Sequence, residues 1–233
     1  DPRAVDLWRN RAANGLTILR DNVVVRGIHF ENYLGGSEAR AITLGNNGSG
    51  NNYRDIVVAD CTIANCVRGL SMTANAPRIV NCDIRDVGLG MVTHGVDTTV
   101  ENCVIQSATG AFAIGVLNQH ERDGIRFYAP ARGGTVTGCV TAGFWAGLYI
   151  KSYTAATDAR PMLIENNIFL DGIRAGTIST DSAPQPLNRY IHNIMGPNEE
   201  RIDPMKDSPL KTATFEANYF FNGGGSARGS NRA

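Results

Sequence analysis

VVADCTI (57–63), IVNCDI (79–84) and VENCVI (100–105) share one pattern and follow each other at intervals of 21 residues. In each, an alternating segment ends in Asp or Asn, a Cys follows, and an Ile comes two positions later. Such period-2 alternation predicts β-strands. The same pattern recurs with small changes in VVVRGIHF (23–30), VTGCVT (136–141), IENNIF (164–169), YIHNIM (190–195) and FEANYF (215–220).

Alignment of the eight segments produces one column, whose members are Ile28, Cys61, Cys82, Cys103, Cys139, Asn167, Asn193 and Asn218. A repeat of about two dozen residues that tolerates insertions is typical of a solenoid, and the alternation indicates a β-solenoid. Six of the eight residues before this column are Gly, Asn or Asp. Because these types tolerate positive φ, a sharp turn is predicted at each of them. The turn residues are Gly27, Asp60, Asn81, Asn102, Gly138, Asn166, His192 and Ala217.

A second recurring strand is predicted after each turn, with apolar residues at its inward positions. Its members are GLTIL (15–19), AITLG (41–45), GLSMT (69–73), GMVTH (90–94), AFAIG (111–115), GLYIK (147–151) and AGTIS (175–179).

This layout resembles the right-handed parallel β-helix of the pectate-lyase-like superfamily over residues 15–222, and the right-handed sense is implied by that resemblance. The predicted fold is therefore an all-β parallel β-helix of about eight coils, forming a single domain over residues 1–222. Residues 1–14 are predicted as a short amphipathic helix that caps the solenoid. Residues 223–233 are rich in Gly and Ser and are predicted to be a flexible tail.

Composition excludes some classes of function. The 22 Lys and Arg residues balance 22 Asp and Glu residues, which argues against a general nucleic-acid surface. No apolar segment approaches the roughly 18 residues that a membrane span needs. The chain starts at Asp1 without Met and is interpreted as a processed or excised piece. An extracellular or cell-surface location is expected.

The column residues are predicted to be structural. Equivalent positions on stacked coils lie about 4.8 Å apart with parallel Cβ vectors, which opposes disulfide formation. Cys61, Cys82, Cys103 and Cys139 are therefore expected to be buried, reduced thiols, and no metal site is assigned to them. The Asn residues of the column are expected to form a ladder of side-chain amides.

The candidate site lies on the outer side of the second strand, where long insertions leave the solenoid. Most outward residues there are small or hydroxylic, and the exceptions are His94, Tyr149 and Lys151. With AFAIG (111–115) between them, Ala113 and Gly115 would form a shallow floor. His94 and Lys151 would then stand about 9–10 Å apart, two coil spacings.

These residue types suit β-elimination on an acidic, uronate-containing polysaccharide. Lys151 is the predicted base, with its pKa lowered by nearby arginines, and Tyr149 or His94 is the predicted acid. A uronate carboxylate would be bound by arginine. The predicted substrate-binding residues are Ala113, Gly115, His120, Arg122, Arg126, Arg132 and Tyr153.

Resemblance to β-helix lyases of the alginate-lyase and chondroitinase-B type implies a Lys and an Arg beside a calcium ion, and Lys151 is the residue that matches by type and setting. Calcium stays an open alternative here, because hard cations bind several oxygens. Its candidate ligands are Asp97, Asp123, Asp158 and Asp181.

Other functions stay open. GLYIKS (147–152) is similar to the Arg-Ile-Lys strand of polygalacturonases, but the face lacks the carboxylate pair that inverting hydrolysis needs. Epimerase activity is a further alternative. The main competing hypothesis is a non-catalytic β-helix, a surface, adhesin or phage-fibre module that binds glycan or supports assembly.

Overall fold

The computed structural model describes residues 7–9, 14–45, 53–107, 122–128, 131–152, 160–170, 177–180, 188–196 and 214–220. These residues form 22 strands and no helix, so none of them belongs to a helix that would cross a membrane. The strands are β1 (Leu7–Arg9), β2 (Asn14–Ile18), β3 (Val24–Arg26), β4 (His29–Glu31), β5 (Arg40–Leu44), β6 (Val57–Ala59), β7 (Thr62–Met72), β8 (Arg78–Val80), β9 (Asp83–Thr93), β10 (Thr99–Glu101), β11 (Val104–Ser107), β12 (Asp123–Tyr128), β13 (Thr135–Thr137), β14 (Val140–Ala142), β15 (Ala146–Ser152), β16 (Leu163–Glu165), β17 (Ile168–Leu170), β18 (Thr177–Thr180), β19 (Arg189–Ile191), β20 (Ile194–Met195), β21 (Thr214–Glu216) and β22 (Tyr219–Phe220).

The strands stack in three parallel rows. Row 1 is an eight-stranded sheet that takes one strand from each repeat segment, in the order β3-β6-β8-β10-β13-β16-β19-β21. A second sheet holds row 2, β1-β4-β7-β9-β11-β14-β17-β20-β22, and row 3, β2-β5-β7-β9-β12-β15-β18. The long strands β7 and β9 contribute to both of its rows. The predicted all-β parallel β-helix is confirmed, while its right-handed sense stays a prediction.

The turn between rows 1 and 2 is the one that the sequence predicts. All eight predicted turn residues have positive φ, between 49° and 68°, including His192 and Ala217. Two further turn columns were not predicted. One turn lies four residues after the repeat column, at Asn32, Asn65, Asp86 and Gly143. The other lies six residues before the column, at Asn22, Asp55, Ala76, Asp97 and Gly133.

The core fills the interior between the rows. All five cysteines are free and buried, which confirms the predicted column of thiols. The amide ladder is also confirmed. Asn193 Oδ1 accepts hydrogen bonds from the backbone N–H of Asn167 at 3.0 Å and from its side-chain amide at 2.9 Å, and Asn218 Oδ1 accepts the equivalent pair from Asn193.

The predicted capping helix is wrong at the residues that can be compared. Leu7–Arg9 forms β1, which pairs in parallel with His29–Glu31 of β4. An exposed strand edge offers backbone hydrogen bonds at once, whereas a short isolated helix is only marginally stable in water. The remaining positions of the predicted helix, 1–6 and 10–13, lie outside the described residues, as does the predicted tail, 223–233.

The strand placed between β9 and β15 is also different from the prediction. We expected residues 111–115 there, but β12 (Asp123–Tyr128) occupies the position. Ile125 pairs with Met91 on one side and with Leu148 on the other. Residues 111–115 themselves lie outside the described part of the chain.

A column of glycines explains this choice of register. Gly69, Gly90, Gly124 and Gly147 follow one another along row 3. A Cβ built on Gly69, Gly90 or Gly124 would lie 2.3–2.6 Å from the carbonyl oxygen of the next glycine. Real Cβ atoms essentially never approach so closely, so glycine lets the successive strands stack at this point.

Candidate functional site

The outer side of row 3 brings the candidate side chains together. One outward column runs in register through Thr43, Ser71, Val92, Arg126, Tyr149 and Thr177. In the next outward column Tyr128 pairs with Lys151 and lies beside His94, since Phe127 pairs with Thr93. His94 and Lys151 are therefore two strand spacings apart, about 9–10 Å at the backbone, as expected.

The predicted shallow floor between them is wrong. The register positions assigned to Ala113 and Gly115 are held by Arg126 and Tyr128. The reason is the placement of β12, whose glycine matches the glycine column of row 3. A large side chain therefore stands at each of the two positions where a slot was expected.

Tyr128 contacts His94 across the strand pair. Their ring centroids are 5.2 Å apart with an interplanar angle of 62°, an edge-to-face arrangement. Tyr128 also packs on a small apolar cluster outside the solenoid interior, formed by Ala39, Val67, Leu89 and Val92 with Leu34. Packing on both sides orients the Tyr128 ring, which is half-buried.

Arg126 contacts Asp123 and Tyr149. Its Nε forms an ion pair with the Asp123 carboxylate, whose side chain is fully buried, while the Arg126 side chain is 11% exposed. Its guanidinium carbon lies 5.3 Å from the centroid of the Tyr149 ring, a cation–π geometry. Trp145 contacts the same Tyr149 ring edge-on, at 6.0 Å between centroids.

These contacts define a surface that we call the aromatic strip, formed by His94, Tyr128, Tyr149 and Trp145 with Arg126. The four rings are half-buried. Each ring is oriented by a neighbour and keeps part of its surface in water, so the strip suits a ligand that has both apolar faces and polar groups.

The other predicted site residues fall into two groups. Arg122 precedes β12 and its carbonyl accepts the N–H of Trp145 at 2.8 Å, so it borders the strip. Arg132 lies at the bend after row 3, where its carbonyl accepts the N–H of Asp97 at 2.9 Å. Of Lys151 only the backbone is described, and Ala113, Gly115, His120 and Tyr153 lie outside the described residues.

The calcium alternative gains no cluster of ligands from the described part of the chain. Asp97 forms an ion pair with Arg160, and Asp123 with Arg126. Within the described ranges no group of three or more His, Cys, Asp or Glu side chains is placed to hold a metal ion. Asp158 and Asp181 lie outside those ranges.

Sequence reasoning gave neither Tyr128 nor Trp145 a role in this site, and it named Asp123 only as a candidate calcium ligand. A signal for Tyr128 was present. GIRFY (124–128) repeats the Gly-apolar-x-apolar pattern of GLSMT and GLYIK, which AFAIG lacks at its first position. Reading the glycine as an obligatory small position would have placed Arg126 and Tyr128 on the outer face.

In overall fold the chain is similar to a phage tailspike. The structure is a mutant of the tailspike protein of E. coli bacteriophage HK620 in complex with a pentasaccharide, with a TM-score of 0.52 and 17% sequence identity. The match covers 91% of this chain and 35% of the tailspike chain. No family model and no curated protein matches the sequence.

Proposed function

We propose that the protein is a glycan-binding β-helix whose ligand lies across the aromatic strip. The observation that carries this proposal is the placement of Tyr128, Tyr149 and Trp145 beside Arg126 on consecutive coils. Sugar rings combine apolar C–H faces with hydroxyl groups. Tyr and Trp offer a flat apolar face with a polar handle, and guanidinium donates several hydrogen bonds in a fixed plane.

The fold comparison supports the same class of ligand. The tailspike of similar fold was solved with a pentasaccharide. The present chain spans about a third of that protein's length, so the likeness supports a binding module and says nothing about the tailspike's other parts.

Binding without cleavage is the form of this proposal that the contacts favour. Elimination needs a cation free to bind the uronate carboxylate, but the Arg126 charge is balanced by buried Asp123. It also needs the base and the acid to converge on one sugar, whereas Tyr128 stands in register between His94 and Lys151. We therefore favour a surface, adhesin or phage-fibre type of module.

Elimination on an acidic polysaccharide is the second candidate. It is favoured by one observation, the succession of His94, Tyr128 and Lys151 in a single outward column. Incubation with alginate, pectate, hyaluronan and chondroitin tests it directly. New ultraviolet absorbance from an unsaturated product would establish cleavage, and its absence on every polymer that binds would reject it.

The binding proposal is tested with a panel of acidic and neutral polysaccharides, followed by titration of the tightest ligand. Tyr149→Ala is expected to weaken binding about tenfold, since an oriented aromatic contact contributes about 1–1.5 kcal/mol. Tyr128→Ala should have a similar effect. Tyr219→Ala is the matched control, because Tyr219 is a 64% exposed tyrosine on row 2, away from the strip.

Two results would contradict the proposal. One is that no polysaccharide of the panel binds. The other is that Tyr149→Ala and Tyr128→Ala bind the ligand as tightly as Tyr219→Ala does, which would place the binding surface elsewhere.

A further inference from the structure

The outward face of row 2 changes in character along the solenoid. Its first outward column begins with His29, Thr62 and Asp83, which pair in succession on β4, β7 and β9. From β11 onward the same column is apolar, and its members in order of pairing are Val104, Val140, Ile168, Ile194 and Tyr219. All five are exposed or half-buried, whereas the inward residue that follows each of the first four is buried. The apolar column therefore faces away from the core.

Charged side chains disappear from row 2 at the same point. The second outward column begins with Glu31, Ala64 and Arg85 and continues with Gln106, Ala142 and Leu170. Neither outward column therefore carries a charged residue on the described strands of row 2 after β9. Row 1 keeps its charges over the same coils, since its outward residues there include Glu101, Glu165, Arg189 and Glu216. We call the outward residues of β11, β14, β17, β20 and β22 the apolar face.

A face of this kind is unusual on the surface of a protein. Val104 is 41% exposed, Ile194 37% and Tyr219 64%. Single exposed apolar residues are common, but contiguous apolar patches mark interaction sites, and the centre of an interface is depleted in charged residues. The apolar face is therefore expected to be covered by another protein surface.

The size of the face indicates the strength of the contact. It consists of five strands. At a spacing of about 4.8 Å they make it about 19 Å long, and three residues along a strand make it about 10 Å wide. A standard interface buries about 800 Å² on each partner, several times the area of this face alone. We therefore expect reversible association with a dissociation constant in the micromolar range or weaker, rather than a permanent assembly.

The apolar face is complementary to itself. The strands of its centre follow the order β11-β14-β17-β20. A two-fold rotation about an axis parallel to these strands, placed between β14 and β17, sets Val104 opposite Ile194 of the second copy and Val140 opposite Ile168. In the second column the same rotation sets the small Ala142 opposite the large Leu170. Each residue is thus matched by one of similar or complementary size, as an isologous interface requires.

The charged part of row 2 favours this arrangement over a parallel one. If the two-fold axis ran along the solenoid, each residue would face its own copy, and Glu31 and Asp83 would each meet an identical carboxylate. Like charges directly opposite each other are destabilising. In the antiparallel arrangement Asp83 instead lies at the level of Tyr219, at the rim of the contact, and Glu31 lies beyond it. A polar rim around an apolar centre is the usual anatomy of an interface.

We propose that the apolar face is a self-association surface, on which two copies of this chain pack face to face with their solenoids antiparallel. Facing sheets pack about 10 Å apart with their strands nearly aligned, and the two-fold rotation keeps the strands aligned. The apolar face lies on row 2 and the aromatic strip on row 3, so this inference is independent of the proposed function.

Sedimentation velocity at protein concentrations from about 5 µM to about 500 µM tests self-association. The mass of the parent protein is expected to rise reversibly from that of a monomer towards that of a dimer. Val104→Lys should weaken dimerisation more than about tenfold, because the interface would bury the new charge without a partner. Val24→Lys is the matched control and should dimerise like the parent, because Val24 is a 64% exposed valine on row 1.

A mixture of two variants tests the antiparallel pairing. Val104→Lys and Ile194→Asp should each be mostly monomeric alone, and an equimolar mixture should dimerise again. In the mixed dimer the new lysine faces the new aspartate in one contact, and the other contact keeps Ile194 opposite Val104. In a parallel dimer the two new charges would be three strand spacings apart, about 14 Å, and could not pair. Both positions point outward, so melting temperatures close to that of the parent will distinguish dissociation from unfolding.

Three results would overturn the inference. The first is a parent protein that stays monomeric up to about 500 µM. The second is that Val104→Lys associates as tightly as Val24→Lys does; if Val104→Lys fails to fold, Ile194→Asp against Val24→Asp provides the same comparison. The third is a mixture that stays monomeric, or a parent protein that forms trimers, because neither agrees with a two-fold contact on this face.

Discussion

Asn193→Ala is the substitution for which the structure predicts the largest polar effect on stability. Asn193 is fully buried in the middle of the amide ladder. Its Oδ1 accepts two hydrogen bonds from Asn167, and its Nδ2 donates to the carbonyl of Ile164 at 2.9 Å and to Asn218 Oδ1 at 2.9 Å.

The magnitude follows from these bonds. Alanine removes all four, each with a net contribution of about 1 kcal/mol. The backbone N–H of Asn167 is also left in the core without its acceptor, which adds about 1–3 kcal/mol. We therefore expect the free energy of unfolding to fall by about 5–7 kcal/mol, a large share of the roughly 5–15 kcal/mol typical of folded domains.

Asn218→Ala and Asn102→Gly provide a graded comparison. Asn218 accepts two hydrogen bonds and donates one, but it is only partly buried, so water replaces some of what is lost and about 1–3 kcal/mol is expected. Asn102 is an exposed turn residue with a φ of 52°, which glycine adopts freely, so a change below about 1 kcal/mol is expected.

Urea unfolding followed by circular dichroism measures the series, with the slope against urea compared between variants. The expected order of destabilisation is Asn193→Ala, then Asn218→Ala, then Asn102→Gly. If Asn193→Ala costs no more than Asn102→Gly, the ladder does not stabilise the solenoid and the reasoning is refuted.

Three further predictions concern the site strand, the glycine column and the thiols. Arg126→Gln should lower the free energy of unfolding by about 3–5 kcal/mol because it removes the guanidinium that forms an ion pair with the buried Asp123 carboxylate, and adding Asp123→Asn should restore much of it. A double-mutant cycle without coupling in urea unfolding would contradict the ion pair. Gly90→Ala should destabilise by about 1–3 kcal/mol, since the new Cβ would lie 2.3 Å from the carbonyl oxygen of Gly124, and an unchanged melting temperature would count against the tight stacking of row 3. Burial raises the pKa of the Cys66 thiol to about 12, whereas an unfolded thiol titrates near 8.5, so its contribution to stability is full below about pH 8.5 and is lost as the pH rises towards 12. The fall in melting temperature between pH 7 and pH 10.5 should be smaller in Cys66→Ala, and an equal fall in both proteins would refute this assignment.

The local chemistry of the residues was sufficient to predict the repeat and its main turn. A positive φ is a property of a single residue and its neighbours, so the column of Gly, Asn and Asp marked the bend without knowledge of contacts. Ala217 adopts the same φ although alanine rarely does so. Its place in the repeat therefore carried more information than its residue type.

Tertiary pairing decided the points at which local patterns were ambiguous. AFAIG (111–115) and GIRFY (124–128) both alternate in the way that a strand of row 3 requires. The structure places GIRFY between β9 and β15, where the carbonyl oxygen of Gly147 lies 2.6 Å from the point that a Cβ on Gly124 would occupy. Real Cβ atoms essentially never approach an oxygen so closely, so this position requires glycine. A packing constraint between neighbouring coils cannot be predicted from the residue pattern of a single segment.

The sequence by itself therefore determined the class of fold, the main turns and the two ladders of the core, because each depends on side-chain size, polarity or φ at a repeated position. The candidate site depended on register between strands far apart in the chain. His94 meets Tyr128, and Arg126 meets Tyr149, only because β9, β12 and β15 stack in that order. Parallel strands joined by long connections can pair in more than one order, and only the packed structure selects one.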